Sequence, residues 1–273
     1  MKDLDNLKEL YLLSFTEDRE EDADFLFENV FSKAQLISLE ENGKTVSMLF
    51  LMDCVLSTKT EEIPYYYLYA ACTHPDYRGK GLMGKLLAKA KDFAKENGKG
   101  GIILKPAKPS LFKFYNNYGF KNFCKYSKTN LCLEDIKLKA PTLYNIRSTE
   151  WWEERKAILK NYSDCFVSFP KELFVAAIDD CKIATDNNGA FVAYEIRDNT
   201  LLCKECLYKK GCEEGVLAIV KGLMEENKVY SAELRMPVNP NSSINHFCEN
   251  GYFSVISNEN IVAENPYHGF AFD

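Results

Sequence analysis

The opening part of the chain changes from a helical to a strand period of hydrophobic positions. Apolar residues recur every three or four positions over residues 4–14 and again around 25–31, which predicts two helices. Residues 34–39 and 45–56 then have the composition and spacing of strands, and Asn42-Gly43 between them is a hairpin turn signal. The sequence therefore predicts two helices followed by an antiparallel hairpin.

The pattern after this hairpin alternates strand and helix. Residues 65–73 are aromatic and strand-prone, whereas 81–97 have a strong helical period. A short apolar strand at 102–104, a short helix at 110–118 and further strands within 120–133 follow. This order predicts a mixed α/β fold.

The second part of the chain repeats the order of elements. Residues 137–141 are the best linker candidate. The predicted elements after it are a helix at 151–162, a hairpin at 189–196 and 200–208, a helix at 213–227, a strand at 229–234 and a short helix at 242–250. Hairpin, long helix, strand and short helix thus occur twice, which favours an internal duplication of the fold over two unrelated α/β halves. The predicted domains are residues 1–136 and 141–273.

Composition and charge narrow the class of protein. The chain has 273 residues, of which 46% are hydrophobic and 27% charged, as in a soluble globular protein of about two domains. A net charge of −6 argues against a nucleic-acid partner and is compatible with a cationic substrate. No apolar run is long enough to span a membrane, and the first residues do not resemble a signal peptide, so we expect a cytoplasmic protein with no membrane partner. The acidic residues 16–22 are interpreted as a solvated helix entry.

The cysteines do not predict a metal site. Ten cysteines are scattered along the chain, and Cys203-x-x-Cys206 followed by Cys212 is the one arrangement that suggests zinc. Zinc usually requires a second such pair or suitably spaced histidines, and His74, His246 and His268 do not have that spacing. The sequence therefore predicts no metal.

One segment has the features of an anion-binding loop. Residues 69–87 predict a strand, a turn at Pro75, a loop with Gly79 and Gly81, and the first turn of a helix. Helix N-termini present unpaired amides, and glycines let the backbone approach a ligand closely. Positive charge surrounds them at Arg78, Lys80 and Lys85. The segment matches neither the nucleotide P-loop nor the dinucleotide fingerprint, so it is either a phosphate seat of another kind or simply a tight turn.

A second segment decides between these readings. Phe114, Tyr115, Gly119 and Phe120 form a Phe-Tyr-x-x-x-Gly-Phe stretch downstream of Arg78-x-x-Gly81. In this order and spacing, the two segments resemble the GNAT superfamily of acyl-CoA-dependent N-acetyltransferases over residues 1–135. Met83 departs from the last position of the family's first motif, Arg/Gln-x-x-Gly-x-Gly/Ala, so its side chain must point into the fold. The two-part length further resembles the Eis-like group, in which a second GNAT-like half follows the catalytic one.

The resemblance implies a fold and a co-substrate. It implies a GNAT-like mixed sheet in two similar acyltransferase-type halves, the second lacking the CoA motif and shaping the acceptor site. Acetyl-CoA would lie in a widened gap between the strands at 65–73 and 102–104, with its acetyl carbonyl on amides near Cys72 and Thr73. The pyrophosphate would be held by the loop Arg78, Gly79, Lys80, Gly81, Leu82, Met83 and Gly84.

The implied reaction is direct acetyl transfer to a primary amine of a small molecule or peptide. Tyr115 matches the family's general acid, although it is also compatible with a core aromatic. The strand at 65–73 has no Asp or Glu, so the base stays open. Its candidates are a water chain, Asp53, the Glu61-Glu62 pair or, by analogy with the Eis-like group, the C-terminal carboxylate at Asp273.

Other residues near the predicted thioester have competing interpretations. His74 is expected to be a turn residue before Pro75, and Cys72 a small strand residue and not a covalent nucleophile. Tyr65, Tyr67 and Tyr69 share one strand face; they fit a core, or the wall of an amine site through cation–π contact. The alternative functions are a non-catalytic acyl-CoA-binding or sensing protein and, less well supported, a nucleotide-binding protein.

Overall fold

The protein is described by a computed structural model that covers residues 4–178, 180–238, 253–256, 261, 263 and 266–269. It divides into two compact units. The first comprises Met1–Leu56, Glu62–Asn122 and Val255–Ile261, and the second comprises Ser57–Glu61, Phe123–Ser254 and Val262–Asp273. Residues 123–136 thus fall in the second compact unit, together with the predicted linker. The division into functional domains at 1–136 and 141–273 stays a prediction.

The first unit contains the elements that the hydrophobic pattern predicts. They are α1 (Leu4–Leu12), α2 (Glu20–Phe25), β1 (Gln35–Glu41), β2 (Lys44–Thr58), β3 (Glu62–Thr73), α3 (Leu82–Glu96), β4 (Ile102–Leu104) and α4 (Ser110–Asn117). A π-helical turn (Leu26–Val30) and a 3₁₀-helical turn (Phe31–Lys33) continue α2. The predicted helix 242–250 lies outside the described residues.

The sheet of the first unit is mixed. β1 and β2 pair antiparallel around Asn42 and Gly43, both of which adopt the left-handed conformation that such a turn requires. β3 follows β2, and β4 runs parallel to β3. The strand β13 (Phe253–Ile256) then pairs antiparallel with β4. The mixed α/β class is confirmed.

α3 covers one face of this sheet. Its buried residues Leu86, Leu87, Ala90 and Ala94 repeat every three or four positions and form one core cluster with strand residues such as Leu49. Burying one apolar stripe in this way fixes the rotation of α3 about its axis. The N-terminus of α3 is therefore held at the end of β3, where the motif residues lie.

The second unit has strands that the sequence did not predict. Its elements are β5 (Lys121–Lys125), β6 (Ser127–Cys132), β7 (Tyr144–Ile146), α5 (Ser148–Tyr162), β8 (Cys165–Ser168), α6 (Lys171–Ala177), β9 (Lys182–Thr185), β10 (Ala190–Arg197), β11 (Thr200–Tyr208), α7 (Glu213–Asn227), β12 (Ser231–Met236) and β14 (Pro266–Tyr267). Of these, β7, β8, α6 and β9 were missed, because three to seven residues are too few to display a period. The hairpin, α7 and β12 were predicted.

Six strands of the second unit form one sheet in the order β6-β12-β11-β10-β9-β7. β10 and β11 are an antiparallel hairpin, and β12 runs parallel to β11 after α7. α7 packs on this sheet through Val216, Ile219 and Val220 in a separate core cluster. The order of hairpin, long helix and parallel strand is therefore present in both units.

A buried ion pair lies inside the second unit. Arg155 of α5 and Glu205 of β11 are 2% and 0% exposed, and the guanidinium contacts both carboxylate oxygens, at 2.7 and 3.0 Å. The Tyr267 hydroxyl donates to the same carboxylate at 2.9 Å. A buried charge pair needs such additional hydrogen bonds to offset the loss of water.

Candidate active site

The predicted anion loop is a turn with two left-handed glycines. His74 caps the short turn Pro75–Tyr77, and its Nδ1 accepts the amide proton of Asp76. Gly79 and Gly81 then have φ values of +77° and +73°, a region that residues with a Cβ rarely adopt. This confirms His74 as a turn residue and explains why glycine occupies both positions.

The basic residues of the loop leave the helix end open. Arg78 donates from Nε to the Thr73 carbonyl at 3.0 Å, which fixes the loop against the end of β3. Lys80 lies over the Tyr77 ring at 4.5 Å. Both side chains are exposed, and the first turn of α3 contains no acidic residue. The charge around the helix N-terminus is therefore positive, as an anionic ligand requires.

The first amides of α3 are free of the helix's own hydrogen bonds. Gly81 is the N-cap, and the first amide of the helix to bond back is that of Lys85, to the Gly81 carbonyl at 3.2 Å. The amides of Leu82, Met83 and Gly84 precede it. The Met83 side chain packs against the α3 core cluster, so its predicted direction into the fold is confirmed. Its amide remains available for a phosphate oxygen.

Gly84 allows the Phe-Tyr-x-x-x-Gly-Phe stretch to contact this same helix turn. A Cβ at Gly84 would lie 2.5 Å from the Tyr118 hydroxyl oxygen. The Lys91 ammonium group from α3 donates to the Tyr118 carbonyl and lies 5.0 Å from the centre of the Phe120 ring. The two motifs are thus in direct contact, although the sequence separates them by a helix and a strand.

The strands β3 and β4 pair over a short stretch only. Their register joins Tyr66 to Ile102 and Tyr67 to Ile103, whereas β3 continues to Thr73. Within that continuation, Ala70 has a φ of +51° although it is not glycine. A left-handed alanine costs about 1 kcal/mol and redirects the strand edge. The widened gap that the resemblance implies therefore lies beside a kinked stretch of β3.

Cys72 and Thr73 lie at the end of this stretch. Cys72 is buried, and burial raises the pKa of its thiol to about 12, although the Ser14 hydroxyl and the Arg78 charge act in the opposite direction. Such a thiol is protonated at neutral pH and is a poor nucleophile. The Thr73 hydroxyl bonds to the Ser47 hydroxyl at 2.7 Å, and Ser47 also donates to the Cys72 carbonyl. These contacts hold the backbone of the predicted acetyl site in place.

Tyr115 lies on α4 and is 7% exposed. Its ring packs edge-on against Phe114 and Phe120, at 5.3 and 5.7 Å between ring centres. Burial raises the pKa of Tyr115 to about 12. At neutral pH its hydroxyl is therefore a hydrogen-bond donor, which suits a group that stabilises a departing thiolate. The geometry fits both of its predicted roles, the core aromatic and the general acid.

The predicted base candidates differ in their surroundings. Asp53 forms an ion pair with Lys99, whose ammonium group also lies 4.6 Å from the centre of the Tyr66 ring. Glu61 and Glu62 are exposed at the start of β3, the end opposite to Thr73. Asp273 lies outside the described residues. Glu61 and Glu62 therefore lie at the far end of β3 from its kinked stretch.

The structure places a different carboxylate near that stretch. Tyr65 and Tyr67 are buried, whereas Tyr69 is partly exposed and lies beside Phe31, at 5.9 Å between ring centres. The side chain of Tyr69 hydrogen-bonds to Tyr11, and the Tyr11 hydroxyl donates to Asp18 at 2.5 Å. Sequence reasoning missed Asp18, because it lies in the acidic segment that we interpreted as a solvated helix entry.

The cysteines of the Cys203-x-x-Cys206 motif lie in the core of the second unit. Cys203 and Cys206 are buried in the cluster beneath α7, while the Cys212 thiol donates to the Asn188 carbonyl. In the described part of the chain, no group of three or more His, Cys, Asp or Glu side chains is arranged to hold a metal ion. Nor does any helix among the described residues have the length and apolarity to cross a membrane.

Comparison with known proteins gives a family match for the first part of the chain. Residues 1–123 match the family model of an acetyltransferase (GNAT) domain. A search of proteins with curated functions gives no match.

Solved structures share the fold over most of the chain. One is a probable N-acyltransferase from Enterococcus faecalis V583, with a TM-score of 0.75 and 15% identity over 93% of this chain and 69% of that one. Eis1 from Mycobacterium abscessus has a TM-score of 0.62 and 12% identity, over 90% and 69% of the two chains. A tandem GNAT protein from the clavulanic acid biosynthesis pathway has a TM-score of 0.58 and 12% identity, over 93% and 94%. Residues 1–123, a little under half of the chain, thus match a GNAT acetyltransferase domain, and the likeness to these solved structures extends the shared fold over most of the chain.

Proposed function

We propose that this protein transfers an acetyl group from acetyl-CoA directly to a primary amine, without a covalent enzyme intermediate. The observation that carries the proposal is the loop with left-handed Gly79 and Gly81, which opens the N-terminus of α3 beside the kinked end of β3. Basic side chains and free helix amides suit a pyrophosphate, and the neighbouring strand edge suits a pantetheine arm. The family match of residues 1–123 supports the same co-substrate.

The protein's own groups supply the binding and the electrostatics. Arg78, Lys80 and the amides of Leu82 to Gly84 would hold the pyrophosphate, and strand amides near Cys72 and Thr73 would donate to the oxyanion that develops on the acetyl carbonyl. The Cys72 thiol, with a pKa of about 12, takes no covalent part. The amine nitrogen attacks the carbonyl carbon, and the carbon–sulfur bond breaks.

Two protons have to move in this reaction. An alkylamine with a pKa of ~10 is about 99.9% protonated at pH 7 and must lose a proton before it attacks. The departing thiolate, with a pKa of about 8.5, must gain one. We assign Tyr115 to the thiolate, because its buried hydroxyl is protonated and can donate. The acidic balance of the chain favours a cationic amine as acceptor.

The proposal is tested by thiol release from acetyl-CoA over a panel of primary amines, with the acetylated product identified by mass spectrometry. Tyr115→Phe is expected to lower kcat by about 10²-fold with little change in KM. Since the pKa of Tyr115 is about 12, the hydroxyl stays protonated and the loss should be the same from pH 6 to 10. Tyr144→Phe, at an exposed tyrosine of β7, is the matched control.

Two outcomes would contradict parts of this proposal. Full activity of Tyr115→Phe at every pH would remove Tyr115 from its role. Tight binding of acetyl-CoA in a calorimeter, with no turnover on any amine, would instead favour a non-catalytic acyl-CoA-binding or sensing protein.

A further inference from the structure

Three side chains connect β3 to the segment between α1 and α2 by hydrogen bonds. The Tyr11 hydroxyl donates to Asp18 Oδ2 at 2.5 Å, and the same hydroxyl shares a hydrogen bond with Tyr69. Because the Tyr11 proton points to Asp18, its oxygen is the acceptor of the Tyr69 proton. All protons of this chain therefore point the same way, from β3 toward the carboxylate.

The middle residue of this hydrogen-bonded chain of three side chains is buried, and the two end residues are partly exposed. Tyr11 is 0% exposed, stacks on Phe15 at 4.6 Å and contacts Phe27 and Phe31 edge-on. Burial raises the pKa of Tyr11, and the Asp18 carboxylate that accepts its proton raises it further. Tyr11 is thus held neutral, as a group that passes a proton on without keeping a charge. Asp18 and Tyr69 are each partly exposed.

Tyr69, the end of the hydrogen-bonded chain on β3, lies a few residues before the predicted acetyl site at Cys72 and Thr73. Tyr69 directly precedes Ala70, the left-handed residue of β3, and lies beyond the two residue pairs that join β3 to β4. Tyr66 and Leu68 belong to the α3 core cluster, so Tyr69 is on the opposite face of the strand. Phe31 beside it is buried and stacks on Phe50, with 4.0 Å between ring centres, so this aromatic packing helps to fix the position of the Tyr69 ring.

We propose that Tyr69, Tyr11 and Asp18 form the proton-acceptor chain for the acceptor amine. The inference rests on the proposed acetyl transfer and supplies the base that β3 lacks. Tyr69 is its catalytic residue, because it would touch the amine, and Tyr11 and Asp18 act through it.

The proton transfer is balanced at each atom. The ammonium group gives one proton to the Tyr69 oxygen, Tyr69 gives its own hydroxyl proton to Tyr11, and Tyr11 gives its proton to the Asp18 carboxylate. The nitrogen lone pair is then free to attack the acetyl carbon. Asp18, which is partly exposed, later releases its proton to water.

The test compares two acceptors of equal size that differ in proton content. One is the best alkylamine of the amine panel, which is protonated at neutral pH, and the other is its aminooxy analogue, which is not. In Tyr69→Phe and Asp18→Asn, kcat/KM for the alkylamine should fall by about 10²-fold. For the aminooxy analogue it should change far less, because that nitrogen is already neutral.

Matched variants separate chemistry from folding. Asp24→Asn removes an acid of α2 that pairs with Lys8, and it should leave the ratio of the two kcat/KM values unchanged. Tyr11→Phe interrupts the chain with a nearly isosteric ring and should change the ratio in the same direction as Asp18→Asn. Urea unfolding of every variant shows that the compared proteins are folded.

The other possible results of the test overturn either the proton chain alone or the proposed function as well. Equal losses for both acceptors, or a ratio that none of the three chain variants changes, would overturn the proton chain while leaving the acetyltransferase intact. A wild-type protein that acetylates neither acceptor would overturn the proposed function and the chain with it.

Discussion

Two helices with the same place in their units begin in opposite ways. α3 follows a hairpin and starts at Gly81, a left-handed residue, with no acid in its first turn. α7 also follows a hairpin, but it starts at Cys212 and carries Glu213 and Glu214 in its first turn. Carboxylates of the chain itself thus compensate the positive end of α7, whereas that of α3 is left for an external anion. Shared element order therefore does not mean shared ligand chemistry.

The strands that precede these helices also differ, because one carries a partly exposed side chain where the other carries a buried charge. β3 ends in a kinked stretch where Tyr69 remains partly exposed. In β11 the register with β10 also shifts, and Glu205 next to that shift is fully buried against Arg155 and Tyr267. Next to its strand irregularity, the second unit thus carries a buried ion pair, whereas the first carries a partly exposed tyrosine. We expect, accordingly, that only the first unit binds CoA.

The largest expected effect comes from breaking the ion pair. Glu205→Gln leaves the Arg155 charge buried without its partner and should cost about 3–5 kcal/mol of unfolding free energy. Urea unfolding measures this loss. The double variant Arg155→Met, Glu205→Leu should recover most of it, since apolar residues of similar volume can replace a buried pair. A double variant as unstable as the single one would mean that the pair itself, and not the lone charge, is what matters.

The next effect comes from giving α3 the charge of α7. Leu82→Glu places a carboxylate in the first turn, where it should weaken CoA binding by about tenfold, or ~1.4 kcal/mol. Stability should be unchanged or slightly higher, because an acid at this helix end is favourable. Isothermal titration calorimetry measures the binding. The reverse change, Glu213→Leu in α7, should create no second CoA site; two bound CoA molecules per chain would refute the contrast between the helices.

The smallest expected effect comes from two glycines whose replacement should cost similar stability, although only one of them should affect CoA binding. Gly81→Ala and Gly43→Ala both force alanine into a left-handed conformation in open space, at a cost of about 1 kcal/mol each. Both should lower the unfolding free energy to a similar extent, but only Gly81→Ala should weaken CoA binding. Equal CoA affinity in the two variants would show that the Gly81 conformation is not needed by the ligand.

The sequence predicted the parts of the first unit that rest on local patterns. The period of α3, the turn at Asn42-Gly43 and the spacing of Arg78 and Gly81 each have a physical cause within a few residues. The contact of Tyr11 with Asp18 and Tyr69 has no such cause, because it requires a helix to be packed on a strand far along the chain. Short buried strands such as β8 were missed for the related reason that their apolar runs show no alternation.

Local sequence patterns likewise predicted only part of the candidate active site. Residue types and spacing pointed to the anion loop, and the resemblance to the GNAT superfamily pointed to Tyr115. Neither pointed to the left-handed backbone of Ala70, since alanine rarely adopts it. Asp18 was one acid among several in residues 16–22, and only its partner distinguishes it.

Gly84 constrains which residues can occur together at positions 84 and 118 during evolution. A Cβ there would overlap the outer end of the Tyr118 ring, so any other residue at 84 requires the tyrosine at 118 to move or to be replaced. Relatives that carry a larger residue at the first position should carry a smaller one at the second. The two positions are expected to co-vary, so that a change in the first turn of α3 is inherited together with a change at the end of α4.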